Sequence, residues 1–323
     1  MNILSKISHE VKLAINALST PPMSKKNGLA KFYYFLDMLW CEFRYGTHPE
    51  DYIALWFWDK QTADRSLWLT SGNRKKFAMG FYTQDAFNLL GSKKLFNEKF
   101  APYLRREWLC TDDASKEQIK TFIQKHGRVI VKPLSLSCGD GIEIIDMQKV
   151  DEFLQRVKTG ESFMVEELLK NHPQMAKLNP DAVQTMRVET CIDKVGEFHL
   201  LGAFVMIGAP HSNVSNCHSG GVMCNLDRNT GVIVSDGYNP NGWSVSRSPA
   251  TQVELLGFNI PYYDQLESFV KELAFVLPEA RYVGWDVAIT PNGFAVIEGN
   301  TLPGLCTQRV DSVPKLGMLK SYL

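Results

Sequence analysis

Apolar residues alternate with small or polar ones along Arg281–Asn300 (RYVGWDVAITPNGFAVIEGN), on both sides of Pro291-Asn292-Gly293. A period of two interrupted by Pro-Asn-Gly predicts a β-hairpin. A three-residue loop, Pro291 to Gly293, with Gly293 at positive φ, pairs Thr290 with Phe294. In that register Asp286 falls opposite Glu298, and Asn300 shares their face. The predicted polar face is Gly284, Asp286, Ala288, Glu298 and Asn300. The predicted core face is Val283, Trp285, Val287, Ile289, Ala295 and Ile297.

The same patterning assigns the rest of the chain. Residues 1 to about 92 read as helical and aromatic-rich. Ile3, Leu4, Ile7, Val11, Leu13 and Ile15 fit an amphipathic helix packed on the body of the protein. Lys31–Phe43 has a strong apolar face, Asp51–Trp58 is dense in core-type aromatics, and Arg74–Lys76 is a small basic cluster on a solvated face. Gly91–Leu104 is a helix capped by Ser92, and Thr111–His126 another, stopped at Gly127. Arg128–Pro133 is a short buried strand, Leu134–Gly141 a flexible loop and Ile142–Asp146 a second strand. Val150–Lys158 is helical and Phe163–Leu169 a strand. Residues 186–207 hold two more strands, MRVETCID and HLLGAFVMI. Asn213–Gly221 and Ile233–Arg247 are polar loops, and Tyr263–Leu277 is an amphipathic helix stopped by Pro278. Short strands and helices therefore alternate in an α+β layout with mainly antiparallel sheets. No GxGxxG opens a helix after a first strand, which argues against a Rossmann domain.

Composition narrows the class. The 323 residues suffice for two or three domains, and a hydrophobic content of 45% is that of a globular protein. Lys+Arg and Asp+Glu are 35 each, so there is no basic footprint for nucleic acid. No apolar run is long enough to span a membrane, and the N-terminus lacks the unbroken apolar core of a signal peptide. The seven cysteines are dispersed without a CxxC, which argues against disulfides and a structural zinc and for a reducing cytoplasm. All seven read as ordinary packing residues, and Cys217 stands out by lying in a polar, Gly-rich segment.

Four stretches carry candidate chemistry. Opposed carboxylates at Asp286 and Glu298 repel, and a cation relieves that cost. With Asn300 they form a set of hard oxygen donors suited to Mg²⁺; the alternative is a solvated strand face. In VIVKPLSLSCGDGI a strand-end Lys132 precedes a loop with Ser135, Ser137, Gly139 and Gly141. Such a loop can cover phosphates through backbone N–H groups and hydroxyls, or be a plain hairpin loop. It is not a Walker A motif, because no GK[ST] follows. Glu166–Glu167 suit an adenine-binding linker or are exposed acids after a strand. The strand residue Arg187 suits a transferring phosphoryl group or a structural ion pair. His218, beside Asn216, reads as a general base or an ordinary hydrogen-bonding residue. No Ser-His-Asp or Cys-His order supports a hydrolase.

In this order the stretches resemble the ATP-grasp superfamily, and more closely the sugar-transfer associated ATP-grasp family. The resemblance runs from about Tyr45 to Gln308, through GSKKLF, VIVKPLSLSCGDGI, FMVEELLKNHPQMAKLNPDAVQTMRV, NCHSGGV, NTGVI and VGWDVAITPNGFAVIEGN. It implies an α+β ATP-grasp fold of two subdomains clasping ATP, with a helical N-terminal region over 1–92. The ATP-grasp domain would span 93–323, with a flap subdomain at about 111–165 and a metal-binding subdomain at about 166–323. Lys93 and Lys132 would contact the ATP phosphates, Ser135 to Gly141 would be the flap, and Glu166, Glu167, Leu168 and Leu169 would hold the adenine. Arg187 would contact the γ-phosphate or an acyl phosphate, and Asp286, Glu298 and Asn300 would hold Mg²⁺. Asn216 would lie near the phosphates or acceptor, and His218, Cys217 and Gln308 would shape the acceptor pocket. Gln184 stands where the family often has Asn, and Cys217 and His218 depart from its usual loop, so acceptor preference is the point of divergence. The resemblance implies a carboxylate–amine ligase working through an acyl phosphate and releasing ADP and phosphate. It would join an amino acid or amino sugar to a carboxylate such as a uronic acid in surface polysaccharide synthesis, beside other enzymes of that process. The alternatives are a kinase on a sugar hydroxyl and a non-catalytic nucleotide-binding partner of a glycosyltransferase system.

Overall fold

The computed structural model describes residues 3–136, 139–212, 215, 217, 220–241 and 243–323, with side chains from His9 onward. Eleven strands among them form two antiparallel sheets. The smaller contains β1 (Trp108–Cys110), β2 (Arg128–Pro133), β3 (Glu143–Asp146) and β4 (Phe163–Glu167), in the order β1-β4-β2-β3. The larger contains β5 (Thr185–Ile192), β6 (Phe198–Ile207), β7 (Val222–Asn225), β8 (Gly237–Tyr238), β9 (Ser244–Val245), β10 (Tyr282–Thr290) and β11 (Gly293–Asn300). Its order is β11-β10-β5-β6-β7-β8-β9. The α+β layout expected from the patterning is the one found, and β8 and β9 add short strands within the segment expected to be a loop.

The small sheet buries Val129, Val131, Phe163 and Val165 against Ile119, Ile123 and Phe153 of helices Lys116–His126 and Val150–Lys158. The first helix starts at Lys116, not Thr111. Ser115 Oγ accepts from Gln118 N at 3.2 Å, and the Gln118 side chain accepts from Ser115 N at 2.7 Å. This reciprocal cap sets the start. Thr111 is used elsewhere, its hydroxyl accepting from Phe163 N. The helix expected over Gly91–Leu104 is two, Lys93–Lys99 and Ala101–Leu104, broken at Phe100. Pro102 has no N–H with which to continue the ladder.

The hairpin differs from the expected register in an informative way. Thr290 pairs with Gly293, so the loop is only Pro291-Asn292. Gly293 takes φ 99°, and the Thr290 hydroxyl donates to its carbonyl at 2.6 Å. Val287 pairs with Val296, and the register then slips so that Asp286 faces Glu298. Ile297 is the extra residue of a β-bulge. The shorter loop and the bulge cancel, which preserves the opposition of the two carboxylates. They also exchange faces in β11: Phe294 and Val296, rather than Ala295 and Ile297, join Val283, Trp285, Val287 and Ile289 in the core. Ala295 instead pairs with Ala288, and Ile297 lines the central cleft.

The helical region has a core of its own, including Met23, Met38, Tyr52, Phe57, Trp68 and Phe81, which continues into Cys191, Tyr282, Leu305, Leu316 and Leu319. An Asp37–Arg65 pair with contacts of 2.7 and 2.8 Å braces it. The helix Gly28–Tyr45 buries Met38 and Cys41, while Leu29, Phe32, Tyr33, Leu36, Trp40 and Phe43 form an exposed stripe on its outer side.

Beneath the sheet, Lys315 of the C-terminal helix Lys315–Tyr322 is 1% exposed and donates to Glu189 at 2.6 Å and to Thr307 Oγ1 at 2.9 Å. Removing one member of such a pair strands the other charge, at a cost of about 3–5 kcal/mol, whereas an apolar replacement of both is nearly neutral. We expect Lys315→Met to lower stability in urea by that amount and Lys315→Met/Glu189→Leu to recover most of it. A double variant no better than the single would contradict this.

Candidate active site

The two sheets and the helical region enclose a cleft of about 1330 Å³. Lys93, Lys132, Ser135, Gly139, Glu166, Glu167, Leu168, Leu169, Arg187, Asp286, Glu298 and Asn300 all line it. The chain thus brings together groups as far apart in sequence as Lys93 and Asn300. Ser137, Asn216 and His218 lie outside the described residues.

The β2–β3 loop overhangs the cleft. Gly139 and Gly141 have φ of 84° and 69°. A Cβ on Gly141 would fall 2.9 Å from Pro133 Cγ and 3.0 Å from Leu136 Cδ1, so both conformation and space demand glycine. Lys93 donates to Leu136 O at 2.5 Å and so ties this loop to the helix Lys93–Lys99, whose first turn is capped by Ser92 Oγ. Burial pulls the Lys93 ammonium below its ordinary value and Lys132 adds to that, while Glu298 works in the other direction. After β4 the chain runs through Leu168 and Leu169 outside any ladder, along the cleft wall.

The floor is the β5–β10–β11 face. Arg187 grips Asp286 with two contacts, Nε to Oδ1 at 2.5 Å and Nη2 to Oδ2 at 3.1 Å. Burial opposes the charged guanidinium, but Asp286, with Glu298 nearby, outweighs it and holds Arg187 cationic. Glu298 is solvent-accessible where it lines the cleft. Burial raises its carboxyl above the ordinary value, and the Asp286 charge raises it further. Asn300 donates from Nδ2 to Gly284 O at 3.2 Å and to Asp286 Oδ2 at 3.4 Å, which makes its oxygen the side-chain pole not used in these bonds. Two carboxylates and an amide oxygen, with one carboxyl pushed up by its neighbour, fit a hard divalent cation such as Mg²⁺.

Glu166, Arg106 and Gln308 have partners that local sequence did not indicate. Glu166 is 3% exposed and points inward, not toward a purine. It accepts from Arg106 Nε at 2.9 Å, Lys132 Nζ at 2.6 Å and Asn97 Nδ2 at 2.9 Å. Burial pushes its carboxyl up, but Arg106 and Lys132 more than offset that and hold it well below the carboxylate range. Glu166 therefore aims Lys132 into the cleft. Arg106 also donates from Nη1 to Val296 O at 2.7 Å, beside the bulge. Gln308 is not in the cleft. It is 1% exposed, its oxygen accepts from Leu69 N and Lys315 N, each at 3.0 Å, and its nitrogen donates to Leu69 O. That locks the C-terminal segment to the helical region and leaves no polar group for an acceptor. Cys217 packs with Phe204, Met206 and Met223, and burial pushes its thiol up. No signal within YLRREW or TQRV marks Arg106 or Gln308, because their partners lie far along the chain.

A family model described as sugar-transfer associated ATP-grasp matches residues 152–317, about half of the chain. The chain belongs to the sugar-transfer associated ATP-grasp family. Its fold is the ATP-grasp fold with a helical N-terminal region. Similar solved structures include the ATP-grasp ligase PsnB complexed with minimal precursor, 12% identical, covering 75% of this chain and 64% of that one, with a TM-score of 0.46. D-alanyl-alanine synthetase A from Vibrio cholerae O1 biovar eltor is 13% identical over 75% of this chain and 63% of that one, with a TM-score of 0.47. D-alanine–D-alanine ligase from Bacillus anthracis is 14% identical over 77% and 73%, with a TM-score of 0.47. The chain spans a little under two thirds of the first two of these proteins. No curated protein matches the sequence.

The depressed Glu166 carboxyl has a signed consequence. A carboxylate held below its unfolded value adds stability above that value, about 4.3, and loses it as pH falls through the lower folded one. Glu166→Gln is expected to destabilise most at neutral pH, by about 3–5 kcal/mol, with the gap from the parent closing as pH falls below about 4. Urea unfolding between pH 7 and 3 checks this, and a gap independent of pH would contradict it. Gln308→Ala orphans buried backbone groups worth about 1–3 kcal/mol each. It should lower the unfolding midpoint while leaving affinity for a non-hydrolysable ATP analogue unchanged, and a selective loss of nucleotide affinity would place Gln308 in the site after all.

Proposed function

We propose that the protein is an ATP- and Mg²⁺-dependent ligase that joins a carboxylate to an amine through an acyl phosphate. The observation that carries this reading is the convergence of Lys93, Lys132, Arg187, Asp286, Glu298 and Asn300 on one cleft. The glycine-bearing loop overhangs their phosphate end, and the Leu168–Leu169 segment flanks it. Leu168 and Leu169, with Glu167, would line the adenine through backbone groups and apolar surface. Asp286, Glu298 and Asn300 would hold Mg²⁺, which when bound neutralises phosphate charge.

In the first step a substrate carboxylate oxygen attacks the γ-phosphorus, the bond to the β-phosphate oxygen breaks, and ADP leaves. In the second, an uncharged amine nitrogen attacks the acyl carbon, phosphate leaves, and the nitrogen gives up a proton. Neither step needs a covalent nucleophile from the protein. Lys132, fixed by Glu166, and Lys93 supply fixed positive charge where the phosphates lie. Arg187, held on the floor by Asp286, supplies planar donors to the phosphoryl group in transfer. Catalysis is then positioning and charge stabilisation within a partly closed cleft.

The family's association with sugar transfer supports a uronic acid as the carboxylate and an amino acid or amino sugar as the amine, in surface polysaccharide synthesis. No helix among the described residues is long and apolar enough to cross a membrane. We place the reaction in the cytoplasm, where ATP is made available and thiols stay reduced.

The test is ATP turnover with Mg²⁺ against a matrix of uronic acids and amines, scoring nucleotide and product mass. ADP release that needs both partners, with an amide product, is expected. Glu298→Gln should reduce the rate on the order of 10²-fold or more. AMP formation would overturn the reading, and ADP with a phosphorylated sugar and no amine requirement would make the protein a kinase.

A further inference from the structure

The cleft is larger than one nucleotide needs. A single small-molecule site encloses roughly 300–1,000 Å³, against about 1330 Å³ here. Flap, linker and floor account for one part of its boundary. The remaining wall comes from the helical region and the hairpin exit: Asn16 and Thr20 at the end of the first helix, Ser71 and Arg74 on the helix Ser71–Ala78, and Thr301–Leu302 just past Asn300. The same wall carries the carboxylates Glu50 and Asp51 and the apolar Leu13, Ile53 and Ala54, and among the described residues that the helical region contributes its one cation is Arg74.

Arg74 differs from the paired cations of the cleft and, unlike the exposed Arg128 of β2, is half-buried. Arg187 is paired with Asp286, Arg106 and Lys132 with Glu166, and Lys93 with a carbonyl. The half-buried Arg74 guanidinium makes no hydrogen bond or ion pair with any described residue. The acid within its field is Asp51, and both Asp51 oxygens are already used, accepting from Ser71 N at 2.8 Å and Ser71 Oγ at 2.9 Å. Burial, moreover, raises the Asp51 carboxyl, against the hydrogen bonds from Ser71. Arg74's field also reaches Tyr82, whose hydroxyl accepts from Leu302 N at 3.2 Å. Leu302 has φ 54°, rare for a leucine, so that bond pins the chain where it leaves the catalytic hairpin. Arg74 therefore lines the same cleft as the floor without belonging to it. A guanidinium left without a partner in a half-buried wall is a ready donor to a planar anion.

We propose that Arg74 binds an anionic group of the second substrate, a carboxylate or a phosphate distinct from the group being activated, so that the helical region selects acidic substrates. This rests on the ligase reading for its setting, but the contact itself is a binding event. It turns the small basic cluster of the sequence, expected on a solvated face, into part of the cleft.

Binding is measured by calorimetry with the full-length protein saturated in Mg²⁺ and a non-hydrolysable ATP analogue. The probes are glucuronate, glucose 6-phosphate and uncharged glucose. At least one charged probe should bind more tightly than glucose, and which one does separates carboxylate from phosphate recognition. Arg74→Ala should weaken that probe on the order of tenfold or more, and Arg74→Lys should recover only part. Affinity for the ATP analogue should change by less than about twofold. The proposal is overturned if neither charged probe outbinds glucose, if Arg74→Ala leaves binding unchanged, or if it weakens the nucleotide equally. Turnover separates the two claims: Arg74-dependent binding without amide formation sinks the ligase reading alone, and amide formation indifferent to Arg74 sinks this one alone.

Discussion

The buried pair of Arg106 and Glu166 is the constraint from which the site follows. Glu166 belongs to the small sheet, and the Arg106 guanidinium that grips it also donates to the carbonyl of Val296 in the large one. A single cation thus fixes the flap side of the cleft to the hairpin that carries Glu298. The cost of burying both charges is met by three donors on Glu166 and by carbonyls on Arg106. Lys132 benefits most, because Glu166 holds its ammonium at the cleft wall instead of leaving a flexible side chain in solvent. The bulge at Ile297 belongs to the same arrangement. It restores the opposition of Asp286 and Glu298 next to the carbonyl that Arg106 holds.

Much of the charge in the cleft is balanced within the protein. Asp286 is paired with Arg187 and Glu166 with Arg106 and Lys132, whereas the proposed metal ligands Glu298 and Asn300 and the proposed anion contact Arg74 stand outside these pairs. Burial and the Asp286 charge raise the Glu298 carboxyl. The rigid parts have buried cores on each side: Phe153 and Phe163 behind the flap, and Trp285 with Phe294 and Val296 behind the floor. Positional precision in the cleft derives from that packing, since a ligand set is only as fixed as the strands that bear it.

Much of this was legible in the sequence, for a physical reason. Strands buried on a face must alternate, so β2, β5, β6 and β10 could be read directly, and Val150–Lys158 matched its apolar period. The opposition of Asp286 and Glu298 was anticipated through a loop one residue too long, because a bulge leaves no mark in a short pattern. The aromatic Phe294 next to a turn was the available clue that β11's faces were reversed. What could not be read were partners distant in sequence. Glu166 looked like an exposed linker acid because Arg106 lies sixty residues upstream. Gln308 looked like a pocket residue because its partner Leu69 is 239 positions away. Arg74 looked solvated because nothing near it in sequence says which wall it faces.

The central claim is that Asp286, Glu298 and Asn300 form a metal-dependent nucleotide floor. It is tested most directly by titrating a non-hydrolysable ATP analogue into the parent protein and Glu298→Gln, each with and without Mg²⁺. The account predicts that Mg²⁺ tightens binding to the parent by on the order of tenfold or more and that Glu298→Gln removes most of this gain. Binding to the parent that is indifferent to Mg²⁺, or an undiminished Mg²⁺ effect in Glu298→Gln, would contradict it.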